Sequence, residues 1–157
     1  MGVDRAGGDG INIDFEFIPA AIDTDVTSPK ENFVTFIGEL TERFHSHEPR
    51  LHVSIATPAI DWDGTYDYSE LARLSDGLMI MGYGYHWSGG NPGPVAPLRS
   101  SDLWGSYSLE WTVLDYLTWG GEQNRDKVIL GIPLYGRDWP ATDLSLPGVR
   151  TASGVAK

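Results

Sequence analysis

Residues 9–16 of this chain read Asp-Gly-Ile-Asn-Ile-Asp-Phe-Glu, and they restrict the fold more than any other stretch. With a period of two, Ile11, Ile13 and Phe15 fall on one face, and Asn12, Asp14 and Glu16 on the other. The apolar face is too bulky and β-branched for an edge strand. A closed parallel barrel accounts for it: apolar side chains point outward to a ring of helices, and polar ones point inward at the mouth. Glu16 then stands at the carboxyl end of the strand, where such barrels carry their chemistry. The same alternation also fits an exposed strand with a solvated acidic face.

The rest of the chain supplies the elements such a sheet needs. Ser28-Pro29-Lys30-Glu31 predicts a helix start, with serine as N-cap, proline in the first helical position and glutamate completing a capping box. Phe33, Phe36, Ile37, Leu40 and Phe44 follow at helical spacing as one apolar stripe. A second strand is expected over Leu51 to Ala56, whose small inward residues Ser54 and Ala56 would leave space inside a barrel. A short helix is expected over Ser69 to Leu74, and a third strand, apolar on both faces, over Leu78 to Tyr83. The loop Gly84 to Trp104 carries Gly89-Gly90, Pro92, Pro94 and Pro97, and its Tyr85 and Trp87 point to function. A second long helix is predicted over Ser108 to Trp119, ended by Gly120-Gly121. Lys127 to Leu134 reads as a fourth strand, after which the chain is expected to be irregular. At the start, Met1 to Gly8 reads as a helix end and a loop, and Phe17 to Thr27 as an active-site rim. The order βα, βα, βα, β implies an α/β fold with parallel strands and right-handed crossovers.

The chain of 157 residues has a net charge of −11, which argues against nucleic acid or an anionic membrane surface as partner. No apolar run is long enough to span a membrane, and no signal peptide is visible. Six tryptophans and seven tyrosines supply flat faces on which sugar rings could stack, although packing explains most aromatic residues equally well. For Trp62 and Trp87 the two readings are balanced. His45, His47, Glu48 and His52 straddle a helix end and a strand start with no ligand spacing, so they read as a solvated turn rather than a metal site. Asp61, Asp63 and Asp67 likewise lack the spacing of a calcium loop.

Asp9, Asn12, Asp14 and Glu16 resemble the DxxDxDxE signature of family 18 glycoside hydrolases, with an amide at the second acidic position. Met81-Gly82-Tyr83-Gly84 is similar to the family's M-x-Y-D motif, with glycine in place of the aspartate. His86 to Pro97 is similar to a loop of the branch that lyses bacterial spore cortex, and Gly131 to Arg137 resembles the family's seventh strand. The resemblance covers about Gly8 to Trp139. It implies that residues 1–157 form a single partial catalytic domain, a fragment of a (β/α)8 TIM barrel carrying strands four to seven. The eighth-strand tryptophan that floors the family's sugar subsite has no counterpart here.

The resemblance also implies a chemistry: retaining hydrolysis of β-1,4-linked N-acetylglucosamine in chitin or peptidoglycan, without cofactor or metal. Asp14 and Glu16 project side by side, roughly 7 Å apart at Cα, so Asp14 is poorly placed to attack from the opposite face. The family's solution is attack by the sugar's own acetamido oxygen. Glu16 is then the acid and base, a role that requires a pKa raised by burial and a neighbouring charge. Asp14 orients the acetamido N–H, and Tyr83 donates to the acetamido oxygen. Asn12, Met81, Trp87, Tyr135 and Arg137 are the substrate-binding candidates, and Asp9 is structural. A non-catalytic carbohydrate-binding barrel and an inactive fragment are the alternatives. The implied partner is an N-acetylglucosamine polymer or oligosaccharide, with self-association through open sheet edges a further expectation. The parent enzyme would be extracellular or associated with the cell envelope.

Overall fold

The computed structural model describes residues 7–20 and 27–157. Most of the expectation for Met1 to Gly8, and part of that for Phe17 to Thr27, lies outside these residues. The chain forms two compact units: the part up to Ile80 with Tyr116–Ile129, and Met81–Asp115 with Leu130–Lys157. Its main sheet has four parallel strands in the order β1-β2-β3-β4, the arrangement of one arc of a (β/α) barrel. They are β1 (Gly10–Ile13), β2 (His52–Pro58), β3 (Gly77–Met81) and β4 (Val128–Gly131). The intervening helices are α1 (Pro29–His47), α2 (Tyr68–Leu74) and α3 (Leu109–Gly120), and a 3-10 helix, Glu122–Lys127, leads into β4.

In the first unit, β1 and β2 pair in register from Gly10↔His52 to Ile13↔Ile55. Helix α1 starts where its capping box predicts. The Glu31 N–H donates to Ser28 Oγ at 3.2 Å, and the Ser28 N–H donates to Glu31 Oε2 at 3.0 Å. These bonds satisfy two of the donors that every helix N-terminus leaves open. The α1 stripe buries Phe33 and Ile37 with Ile13, Ile55, Leu71, Leu78, Ile80 and Tyr116 in one apolar cluster. Fully burying a side chain such as Ile37 or Leu71 stabilises the fold by about 1.5–3 kcal/mol. Asp67 caps α2, accepting from the Glu70 N–H at 3.1 Å.

Three expectations need correction. The first strand ends at Ile13 and does not run on to Glu16: its pairing with β2 stops at Ile13↔Ile55, although β2 itself continues to Pro58. The fourth strand is shorter than Lys127 to Leu134. Lys127 instead closes the 3-10 helix, and its ammonium donates to the Ala72 and Ser75 carbonyls at the end of α2, both at 2.8 Å. The stretch after Arg137 is not wholly irregular: β5 (Arg137–Asp138) and β6 (Val155–Ala156) pair antiparallel in the second unit.

The same unit organises the long loop after β3 through local bonds. The Tyr85 N–H donates to the Val95 carbonyl at 3.1 Å, and the Tyr85 hydroxyl lies 2.6 Å from Thr112 Oγ1. Ser108 Oγ accepts from the Trp111 N–H at 3.2 Å and so caps the first turn of α3.

Candidate active site

Asn12 is the third residue of β1, and its side-chain oxygen accepts from Ser54 Oγ on β2 at 2.9 Å. This bond crosses the paired residues Asn12↔Ser54 on the polar face of the sheet. Asp14 and Glu16 follow the end of β1, and both side chains are exposed. The burial expected around Glu16 is therefore absent among the described residues. Phe15, between the two carboxylates, faces the other way. Its ring centroid lies 6.0 Å from that of Phe33 and 5.9 Å from that of Phe36, nearly parallel to the latter. The alternation of the motif thus persists after the ladder has stopped, with aromatic packing replacing strand pairing.

One residue of this region was not singled out by sequence reasoning. Tyr66 is buried, and its hydroxyl donates to the Phe15 carbonyl at 2.6 Å. Its ring meets Phe33 edge-on, with centroids 6.0 Å apart and planes at 83°. Burial, helped by the charges of Asp61, Glu16 and Asp14, pushes its phenol up to about 12, so the donor keeps its proton at neutral pH. The only sequence signal was a loop rich in aspartate and aromatic residues, and a contact across 51 residues cannot be read from spacing. Asp61 holds that loop: its carboxylate accepts from the Thr65 N–H at 3.0 Å and the Tyr66 N–H at 2.9 Å. The acidic loop is therefore turn chemistry, with Asp61 folding the turn and Asp67 capping the next helix.

The second unit holds the other candidates. Met81 closes β3, and Tyr83 lies two residues further on, its ring meeting Tyr135 edge-on at 6.1 Å and 70°. Gly84 has φ +78, in the left-handed region, with no atom within 4 Å of where a Cβ would stand. The Trp87 indole folds over Gly89 and is 60% exposed. Arg137 lies on β5, with Nη1 donating to the Gly154 carbonyl at 3.5 Å, while its Nε is buried without a hydrogen-bond partner. Tyr83 and Tyr135 are thus brought together, and Asn12, Asp14 and Glu16 form a group of their own in the first unit.

Among the described residues no group of three His, Cys, Asp or Glu side chains could hold a metal ion. His45 instead meets Asp76 at 3.0 Å, and the same Asp76 oxygen accepts the Val53 N–H at 2.8 Å. No helix among the described residues is long and apolar enough to cross a membrane.

The family model of glycosyl hydrolases family 18 matches residues 3–154. The chain belongs to glycosyl hydrolase family 18. Similar sequences include the glycosylase YvbX of Bacillus subtilis, 30% identical over 148 residues that make up 90% of this chain and 37% of that protein. The glycosylase YdhD of the same organism is 33% identical over 142 residues, 87% of this chain and 29% of that one. This family 18 chain therefore spans less than two-fifths of the length of these relatives. Its fold matches the crystal structure of YdhD with a TM-score of 0.72 at 28% identity, covering 99% of this chain and 45% of that one. A Group IV chitinase of Ostrinia furnacalis, solved in complex with allosamidin, matches with a TM-score of 0.78 at 25% identity, covering 97% of this chain and 46% of the chitinase.

Proposed function

We propose that this chain carries the catalytic strand end of a retaining, substrate-assisted hydrolase of β-1,4-linked N-acetylglucosamine in chitin or peptidoglycan. The observation that carries this reading is the polar face of the first strand and its extension, Asn12, Asp14 and Glu16, with both carboxylates open to solvent at the carboxyl end of β1. A family 18 relative solved with allosamidin supports a carbohydrate ligand of this class.

In this reading Glu16 gives its proton to the glycosidic oxygen as the bond to the anomeric carbon breaks. The acetamido oxygen of the same sugar forms the new bond to that carbon from the opposite face. Asp14 orients the acetamido N–H and stabilises the positive oxazolinium ion by charge. Glu16, now a carboxylate, takes a proton from water as the water opens the ion, which restores the acid and yields the retained anomer. Asn12 supports Asp14: with its oxygen bonded to Ser54, its N–H donors remain to serve a carboxylate. Tyr83 donates to the acetamido oxygen, and Met81, Trp87, Tyr135 and Arg137 contact the sugar. This chemistry calls for no cofactor.

The test is release of reducing ends from N-acetylglucosamine oligomers by the protein and by its Glu16→Gln variant. The reading expects turnover that is lost in the variant; equal turnover in both would overturn it. Gly84 favours a second reading, a non-catalytic carbohydrate-binding barrel, because glycine supplies no polar contact where the M-x-Y-D motif has its aspartate. That reading expects oligomer binding without turnover, unaffected by Glu16→Gln. Strands β1 and β4 lie at the ends of the four-stranded order, and self-association of the chain through such edges is part of the proposal, tested by gel filtration.

A further inference from the structure

We propose that Tyr66 is a positioning residue for the two carboxylates, its hydroxyl holding the Phe15 peptide where strand pairing no longer does. This rests on the function proposed for Asp14 and Glu16. The register of β1 with β2 ends at Ile13↔Ile55, so the ladder does not fix the direction of the chain at residues 14–16. The carbonyl of Phe15 shares a rigid plane with the N–H of Glu16. A donor that fixes this carbonyl therefore fixes the peptide from which the Glu16 side chain departs. The Tyr66 hydroxyl is that donor, at 2.6 Å.

Tyr66 is itself held on several sides. Its N–H donates to Asp61 at 2.9 Å, its ring edge rests on Phe33, and only 6% of its surface is exposed. Phe33 also packs against the Phe15 ring, so residue 15 is gripped at both ring and carbonyl. The result is a closed circuit of Phe15, Phe33 and Tyr66 beneath an exposed pair of acids. A donor in this place keeps the carboxylates aimed without touching substrate.

Two variants and two readouts test this. Tyr66→Phe removes the hydroxyl and keeps the ring. Tyr116→Phe is the control, since its hydroxyl also donates at 2.6 Å from a buried site, but to the Pro58 carbonyl rather than to the Phe15 peptide. Both variants should lower the melting temperature by similar amounts. Only Tyr66→Phe should lower kcat on N-acetylglucosamine oligomers, by about ten- to a hundred-fold, the scale of an ångström-level misplacement, with KM little changed. Amide resonances of residues 14–16 should move in Tyr66→Phe and stay in Tyr116→Phe. An unchanged kcat in Tyr66→Phe, or a matching loss in Tyr116→Phe, would overturn the proposal. If the parent protein shows no turnover, the function proposed above has failed on its own, and the amide resonances still decide the positioning: unmoved resonances in Tyr66→Phe would overturn it.

Discussion

Gly10→Ala should destabilise the first unit more than most surface substitutions, for a reason visible in the strand pairing. Gly10 stands opposite His52 at the start of the β1–β2 ladder. A Cβ built there would lie 2.8 Å from the carbonyl carbon of His52 and 2.9 Å from its Cβ, with the carbonyl oxygen closer still. These neighbours are largely backbone, so no side chain can swing aside, and the strands must part. Overpacking of this kind costs about 1–3 kcal/mol. The adjoining bond from the His52 N–H to the Asp9 carbonyl, 2.9 Å long, would stretch and lose about 0.5–1.5 kcal/mol more. The sum is roughly 1.5–4.5 kcal/mol, or a fall in melting temperature of roughly 3–18 °C for a chain of this size. Thermal unfolding followed by circular dichroism measures it directly. Gly84→Ala provides the contrast, because no atom lies within 4 Å there and only the left-handed backbone opposes a side chain, at about 1–2 kcal/mol. A Gly10→Ala melting temperature within a degree of the parent would refute the close-approach argument.

Two further outcomes follow from named contacts. Ser28→Ala removes the acceptor for the Glu31 N–H and should cost about 1 kcal/mol, roughly 2–4 °C in melting temperature, while Ser28→Asp should retain most of it; equal loss in both variants would count against the cap. The Tyr66 phenol is raised to about 12 when folded, by burial first and then by Asp61, Glu16 and Asp14, against about 10 when unfolded. Its contribution is therefore complete below about pH 10 and is lost as pH climbs toward 12. The gap in melting temperature between the parent and Tyr66→Phe should narrow over that range, and a constant gap would contradict the assignment.

What could be read in the sequence was local. The Ser28 cap, the Glu31 return bond and the phenylalanine stripe of α1 lie within a few turns of one another, and the helix begins where they place it. Alternation alone puts Asp14 and Glu16 on one face, and the structure leaves both exposed just after the end of β1. The end of β1 was not legible, because alternation continues through Glu16 while pairing stops at Ile13. What replaces pairing there comes from Phe33, Phe36 and Tyr66, all distant in the chain. Lys127 was hidden for the same reason, as its ammonium serves carbonyls more than 50 residues earlier. Strands β5 and β6, two residues each and separated by residues 139–154, are too short to leave a periodic signal.

In the proposed reaction, Glu16 and the sugar's own acetamido group act from opposite faces of the scissile bond. The most direct measurement is proton NMR of a β-1,4-linked N-acetylglucosamine oligomer during its first minutes with the protein, read at the anomeric signals of the new reducing end. In the proposed reaction the β-anomer appears first and equilibrates later to the α-anomer, and no new anomeric signal appears with Glu16→Gln. First appearance of the α-anomer, or an undiminished signal with the variant, would contradict it.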